Sequence, residues 1–250
     1  MLDILVLDFD GVICDSAPET AATAWRCCCR LWPERFQGPA PEEQLRRFSR
    51  ELRPYLETGY QSILQTKLLW SGAPLSRMTR EFAGKLDEIL AEAGQTRESL
   101  KPLFGGERDR WLKEDPEGWL AHNRFYPGAA ETLKTLLERG RVVILTTKQC
   151  RFVERLMDRA GVNFPAEDIF GLERIKNKET TLTELLSHGS LAFVEDCLAT
   201  LERVEKVPSL AEVKLVFADW GYSTEEQRTS ARKNSRILVL GSPNSLTEIP

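Results

Sequence analysis

The sequence predicts an α/β fold: a doubly wound parallel sheet with an all-α segment inserted near its start. Three observations predict it. Five short apolar runs, at 4–7, 142–145, 191–194, 213–218 and 237–240, have the length and continuity of strands buried on both faces. Helical patterns separate the later runs, as a parallel sheet requires. Between the first run and the second lies a stretch of about a hundred residues with no strand pattern, far longer than an ordinary crossover.

Taken in order, ILVL at 4–7 is the first strand and ends in Asp8-Phe9-Asp10-Gly11. Ser16-Ala17-Pro18-Glu19 fits a capping box, with Asp15 beside it as a second capping residue. Ala21, Trp25, Cys28 and Trp32 then share one helical face. Phe125-Tyr126-Pro127-Gly128 is a turn leading back to the sheet. The division expected is therefore an α/β core of residues 1–15 and 124–250, and a helical domain of residues 16–123. In the core, Leu133, Leu136 and Leu137 repeat at helical spacing before Gly140, and Val153, Leu156, Met157 and Ala160 before Gly161. Leu182, Leu185 and Leu186 do so before Gly189. Ser223-Thr224-Glu225-Glu226 fits a capping box opening one more helix.

Composition narrows the function. A formal net charge of -4 over 250 residues disfavours a nucleic-acid binder, which needs a basic footprint. The leading MLDILVLDFD lacks a basic region and breaks its apolar run at Asp3 and Asp8, so it does not read as a secretory signal. No apolar run approaches membrane-span length. The six cysteines show no disulfide framework, which fits reduced thiols and an expected cytoplasmic location.

Chemistry-bearing residues gather at strand ends. In a parallel sheet the ligand crevice lies outside the carboxyl ends of the strands. Asp8 and Asp10 stand at one such end, Thr146-Thr147-Lys148 at another, Glu195-Asp196 at a third and Asp219 at a fourth. Acids two residues apart repel unless something compensates, and a divalent cation does so. Carboxylates, a hydroxyl and lysines on one edge suit Mg²⁺ and a phosphoryl group. Gly11 permits a sharp turn and close backbone approach.

The motifs DFDGVICDS at 8–16, VVILTT at 142–147, IKNKETT at 175–181 and FVED at 193–196 resemble, in order, the four motifs of the haloacid dehalogenase superfamily. FYPGAAETLKTL at 125–136 resembles the segment that returns from the cap in phosphoglycolate-phosphatase-like members, and the Glu-Asp form of the fourth motif also occurs in β-phosphoglucomutases. The resemblance implies a Rossmann-like core and a helical cap domain. It implies Asp8 as nucleophile, forming an aspartyl-phosphate, and Asp10 as general acid and base. Thr146 and Lys178 would hold phosphate oxygens, helped by Gly11 and Thr147. Mg²⁺ would be held by the Asp8 carboxylate, the Asp10 carbonyl, Asp196 and Glu195. Lys178 is preferred over Lys176 because it sits four residues before Leu182, in the first turn of its helix. The implied partner is a small phosphorylated substrate, with no nucleic acid or membrane.

Other residues carry blander readings. Adjacent helical residues point about 100° apart, so Cys27, Cys28 and Cys29 cannot converge on one ion. Cys14, Cys150 and Cys197 read as small buried hydrophobes. His122 and His188 neighbour no nucleophile. Lys148 reads either as a phosphate contact or as a solvated lysine opening a helix, and Asp219 as a loop-fixing residue. Arg46, Arg47, Arg50 and Arg53 read as a solvated face, and Trp70, Trp111 and Trp119 as core of the helical domain. A phosphatase leads. A β-phosphoglucomutase-type phosphomutase and a non-catalytic binding protein are the alternatives. Dehalogenase and phosphonate hydrolase are disfavoured, the first because Asp10 and the metal acids are superfluous to it, the second because its family lacks the Asp at position 10.

Overall fold

The leading apolar run forms β1 (Ile4–Leu7) in a computed structural model that describes residues 2–249. A two-residue strand, β2 (Cys14–Asp15), follows. Helices then run through α1 (Ala17–Leu31), α2 (Glu42–Arg47), α3 (Gln61–Trp70), α4 (Leu75–Met78), α5 (Leu86–Glu92), α6 (Arg97–Glu114) and α7 (Pro116–Ala121). After β3 (Arg124–Phe125) come α8 (Ala129–Arg139), β4 (Arg141–Leu145), α9 (Cys150–Arg159), β5 (Ile169–Phe170), α10 (Lys178–Leu186) and β6 (Leu191–Glu195). The chain ends through α11 (Leu198–Glu205), β7 (Lys214–Ala218), α12 (Glu225–Lys233) and β8 (Ile237–Leu240). The α/β fold with its helical insertion is thus present. β5, β2 and β3 carry no periodicity signal because each is two residues long.

Six strands form one parallel sheet in the order β5-β4-β1-β6-β7-β8. Helices cover both faces, which is why the central strands are apolar throughout: Val6, Leu7, Val143, Ile144, Phe193, Val194, Val216 and Phe217 are all fully buried. β1 sits in the middle. The chain leaves it towards β4 and β5, then returns on its other side at β6 and proceeds to β7. The direction of winding reverses between β1 and β6, and such a switch point opens a crevice at the carboxyl ends of the two strands. The register fixes what lines it. Leu7 pairs with Ile144 on one side and Val194 on the other, so Asp8 and Glu195 stand at the next level on adjacent strands. β2 and β3 pair antiparallel, Cys14 with Phe125 and Asp15 with Arg124.

The chain divides into two compact units, one taking residues up to Asp15 and again from Arg124, the other Ser16–Asn123. The second is built of helices around Trp25, Phe36, Phe48, Ile63, Leu64, Phe82 and Phe104. Its interior also holds charge. Glu19 is fully buried and takes a two-pronged contact from Arg108, at 2.8 and 2.6 Å, plus a hydrogen bond donated by the Thr23 hydroxyl at 2.6 Å. Glu107, equally buried, receives Arg26, Arg30 and Arg110.

Three local expectations need correction. Ser16 occupies the cap position of α1, but its side chain makes no capping hydrogen bond. Its ψ of 9° is not the extended value that turns a cap side chain toward the first turn, and Glu19 is engaged with Arg108 instead. The capping box of α12 lies one residue later than the sequence suggests: Thr224 and Gln227 exchange the reciprocal bonds. Gln227 reaches back as well as a glutamate does. Trp111 and Trp119 are buried, whereas Trp70 is 42% exposed. Trp70 rims the core, edge-on to Trp25 at 5.0 Å, with its indole N–H donating to the Arg35 carbonyl. Arg46, Arg47 and Arg50 pair with Glu42, Glu43 and Glu51 at the surface.

Candidate active site

Asp8 follows β1 directly. Its backbone N–H donates to the Val194 carbonyl at 2.9 Å, which extends the sheet pairing by one residue and holds the side chain at the crevice. Its Oδ1 accepts the Phe9 N–H at 2.8 Å, and its Oδ2 lies 3.2 Å from the Lys178 ammonium. Glu195 closes β6. One of its oxygens accepts the N–H groups of Asp196 and Cys197, both at 3.0 Å, and the other takes Lys178 Nζ at 2.7 Å. Asp196 accepts the Tyr222 N–H at 2.6 Å. All three carboxylates are buried, and one oxygen from each lies within 4.8 Å of the others.

Lys178 is aimed by its cap. Asn177 accepts the Thr180 N–H at 2.7 Å and so starts α10 with Lys178 as its first residue, at the sheet edge. The ammonium then bridges Asp8 and Glu195. Lys176, two residues earlier, is exposed. Thr146 is buried at the end of β4 and accepts the Lys148 N–H at 3.2 Å on its hydroxyl oxygen, leaving the hydroxyl proton to donate. Thr147 beside it is partly exposed.

Three buried carboxylates lie close together, two of them on the Lys178 ammonium, and like charges in a desolvated site oppose ionisation. Burial, then the Glu195 charge, push the Asp8 carboxyl up to about 7 against the pull of Lys178. Burial also opposes ionisation of Glu195, but Lys178 and the backbone donors outweigh it and hold that carboxyl below its ordinary value. Lys178 itself is raised: burial favours its neutral form, and the two carboxylates overcome that. The three clustered carboxylates, an all-oxygen donor set, could hold a hard metal ion.

Gly11 and Gly221 let the walls close. Gly11 has φ +96°, and a Cβ there would lie 2.0 Å from Asp196 Oδ2. A Cβ on Gly221 would lie 2.3 Å from the Asp196 Cβ. The loop after β7 is tied across the site: the Trp220 indole N–H donates to the Val12 carbonyl at 2.9 Å, and the Tyr222 hydroxyl lies 2.8 Å from Asp15. Only the strand-end position of Asp219-Trp220-Gly221 could have flagged this loop. Asp219 pairs with Arg228 and Arg232, so it fixes the loop.

The Asp10 side chain pairs with Lys148 and is not among the three clustered carboxylates, and the sequence reading gave the metal only its backbone carbonyl. Lys148 is fully buried, which excludes the solvated-lysine reading. Its place two residues beyond Thr146 at a strand end was the available signal. Burial pushes the Cys197 thiol up to about 11, so it is inert as a nucleophile. His122 bonds to the Gly118 carbonyl and packs against Trp111.

No family model matches the chain, and no curated protein matches it in sequence. Solved structures match it over nearly its whole length. A structure described as a predicted phosphoglycolate phosphatase from Haemophilus somnus 129PT is 14% identical with a TM-score of 0.60, covering 99% of this chain and 97% of that one. A haloacid dehalogenase-superfamily hydrolase, subfamily IA, variant 1, from Geobacter sulfurreducens PCA is 15% identical with a TM-score of 0.52, covering 99% and 95%. A haloacid dehalogenase-like protein of unknown function from Agrobacterium tumefaciens C58 is 15% identical with a TM-score of 0.54, covering 99% and 97%. The fold is therefore haloacid dehalogenase-like, with a helical insertion after the first strand. No helix among the described residues is long and apolar enough to cross a membrane.

Proposed function

We propose that this chain is a Mg²⁺-dependent phosphatase that hydrolyses a small phosphorylated metabolite through an aspartyl-phosphate on Asp8. The observation that carries the reading is the buried Asp8 carboxylate, facing one ammonium and two further acids at the switch point of the sheet. Asp8, Asp196, Glu195 and the Asp10 carbonyl are the groups that would hold the ion, which when bound screens nucleophile and phosphate from each other.

In the first step an Asp8 oxygen bonds to phosphorus as the bond from phosphorus to the leaving oxygen breaks. The Asp10 carboxyl gives its proton to that oxygen. In the second step Asp10 takes a proton from water, the water oxygen bonds to phosphorus, and the bond to Asp8 breaks. Inorganic phosphate leaves, and Asp8 returns as a carboxylate. Thr146 donates its hydroxyl proton, and Lys178 its charge, to the equatorial oxygens of the transferring group, with backbone N–H groups around Gly11 and Thr147. Lys178 is suited to this because its charge is already held against Asp8.

The test is turnover of 4-nitrophenyl phosphate by the purified chain with Mg²⁺, with chelator, and in Asp8→Asn. Phosphate should appear only with Mg²⁺. Asp8→Asn should keep its circular dichroism and lose at least about 10³-fold in rate. Full activity in chelator, or a folded Asp8→Asn protein that still turns over well, would refute the reading.

A further inference from the structure

Lys148 is among the largest fully buried side chains of the chain, and its side-chain exposure is 0%. An ammonium in such a place is kept charged at a desolvation cost that only a partner offsets. Asp10 is such a partner, with Nζ 3.0 Å from one carboxylate oxygen and 3.3 Å from the other. The ammonium therefore straddles the carboxylate and fixes the plane of the group as well as its distance.

The lysine is itself anchored at both ends of its backbone unit. Its N–H donates to the Thr146 hydroxyl, and its carbonyl accepts the Leu172 N–H at 3.0 Å. Gly171 makes room for that contact, since a Cβ there would lie 2.6 Å from the Lys148 carbonyl oxygen. The same residue thus joins the hydroxyl end of β4 to the acid that follows β1. Asp8, by contrast, has Lys178. Each acid of the Asp8-Phe9-Asp10 motif is thus met by a different lysine, Asp8 by Lys178 and Asp10 by Lys148.

We infer that Lys148 is a positioning residue for Asp10, holding its carboxyl in the one orientation from which it can pass a proton to the leaving oxygen and take one from water. The inference rests on the phosphatase reading above. Proton transfer at a displaced carboxyl loses most of its rate, because alignment and distance both enter the barrier. Removing the ammonium takes away the contact that spans both Asp10 oxygens.

The consequence is specific to steps that move a proton. 4-Nitrophenolate leaves without one, whereas phenolate, far more basic, needs one. Lys148→Met should therefore lose at least about ten-fold more kcat/KM on phenyl phosphate than on 4-nitrophenyl phosphate. With saturating 4-nitrophenyl phosphate and Mg²⁺ it should also release a burst of about one equivalent of 4-nitrophenolate before a slow phase. The first step survives and hydrolysis of the phosphoenzyme stalls. Lys148→Gln, which keeps a donor toward Asp10, should recover part of the phenyl phosphate rate. Circular dichroism reports folding, and if the Met variant does not fold the Gln variant carries the same comparison. Equal losses on the two esters with no burst would overturn the inference and leave the phosphatase reading standing. A wild-type chain that turns over neither ester with Mg²⁺ would overturn both.

Discussion

Both units of the chain bury carboxylates, and they treat them in opposite ways. In the helical unit Glu19 is met by a two-pronged guanidinium and a hydroxyl, so that charge and hydrogen bonds both close. In the core, Asp8 and Glu195 converge on the Lys178 ammonium, and Asp196 brings a third carboxylate within 4.8 Å of them. A matched buried pair holds a structure in one arrangement. A crowded cluster of carboxylates favours added positive charge, and burial with the Glu195 charge pushes Asp8 up to about 7. The two clusters differ in how their charge is met, although all of these carboxylates are buried.

The sharpest break of the comparison is in the core. Lys178→Ala removes the ammonium that bridges Asp8 and Glu195, and should lose orders of magnitude in rate on 4-nitrophenyl phosphate at saturating Mg²⁺. Lys176→Ala, at an exposed position, should stay within about two-fold, as surface changes generally do. The reverse ranking would move the phosphate-binding role to Lys176.

The counterpart in the helical unit is a stability effect. Glu19→Ala leaves Arg108 buried without its carboxylate and should cost about 3–5 kcal/mol in denaturant unfolding. The double variant Glu19→Met, Arg108→Met should recover most of that loss, because well-packed apolar side chains replace a matched pair at little cost. If the double variant is as unstable as the single, the pair does more than satisfy itself.

A smaller effect follows from the raised Asp8 carboxyl. Asp8 is neutral below about pH 7 in the metal-free chain, and a metal ion must displace its proton. Mg²⁺ affinity should therefore fall as pH falls, by about ten-fold from pH 8 to pH 6, in calorimetric titration. Asp8→Asn should flatten that dependence. A wild-type affinity independent of pH over this range would show that Asp8 does not hold a proton that the metal must displace.

The parallel sheet, the helical insertion and the acids at the strand ends were legible in the sequence. Apolar runs at 4–7, 142–145 and 191–194 mark central strands because only a strand covered on both faces can be apolar throughout. β5 was not legible, since Ile169 and Phe170 are too short a run to carry a period. The capping box at Ser16 misled because Glu19, which fits it by spacing, is claimed by Arg108 from a helix some ninety residues away in sequence. Lys148 was visible as a residue type at a strand end, but its burial and its pairing with Asp10 depend on how β1 and β4 lie side by side. Local pattern places a residue on an edge. Which neighbour it faces is settled by tertiary register, as Tyr222 across Asp15 and Asp196 also shows.

The central claim of the proposed function is that Asp8, buried beside Lys178, becomes phosphorylated. Acid quenching during turnover of 4-nitrophenyl phosphate with Mg²⁺, followed by peptide mass spectrometry, measures this directly. The account predicts a hydroxylamine-labile phosphoryl group on the peptide that contains Asp8, present with Mg²⁺ and absent in chelator. A chain that turns over the ester and carries its phosphoryl group on any other residue would contradict it.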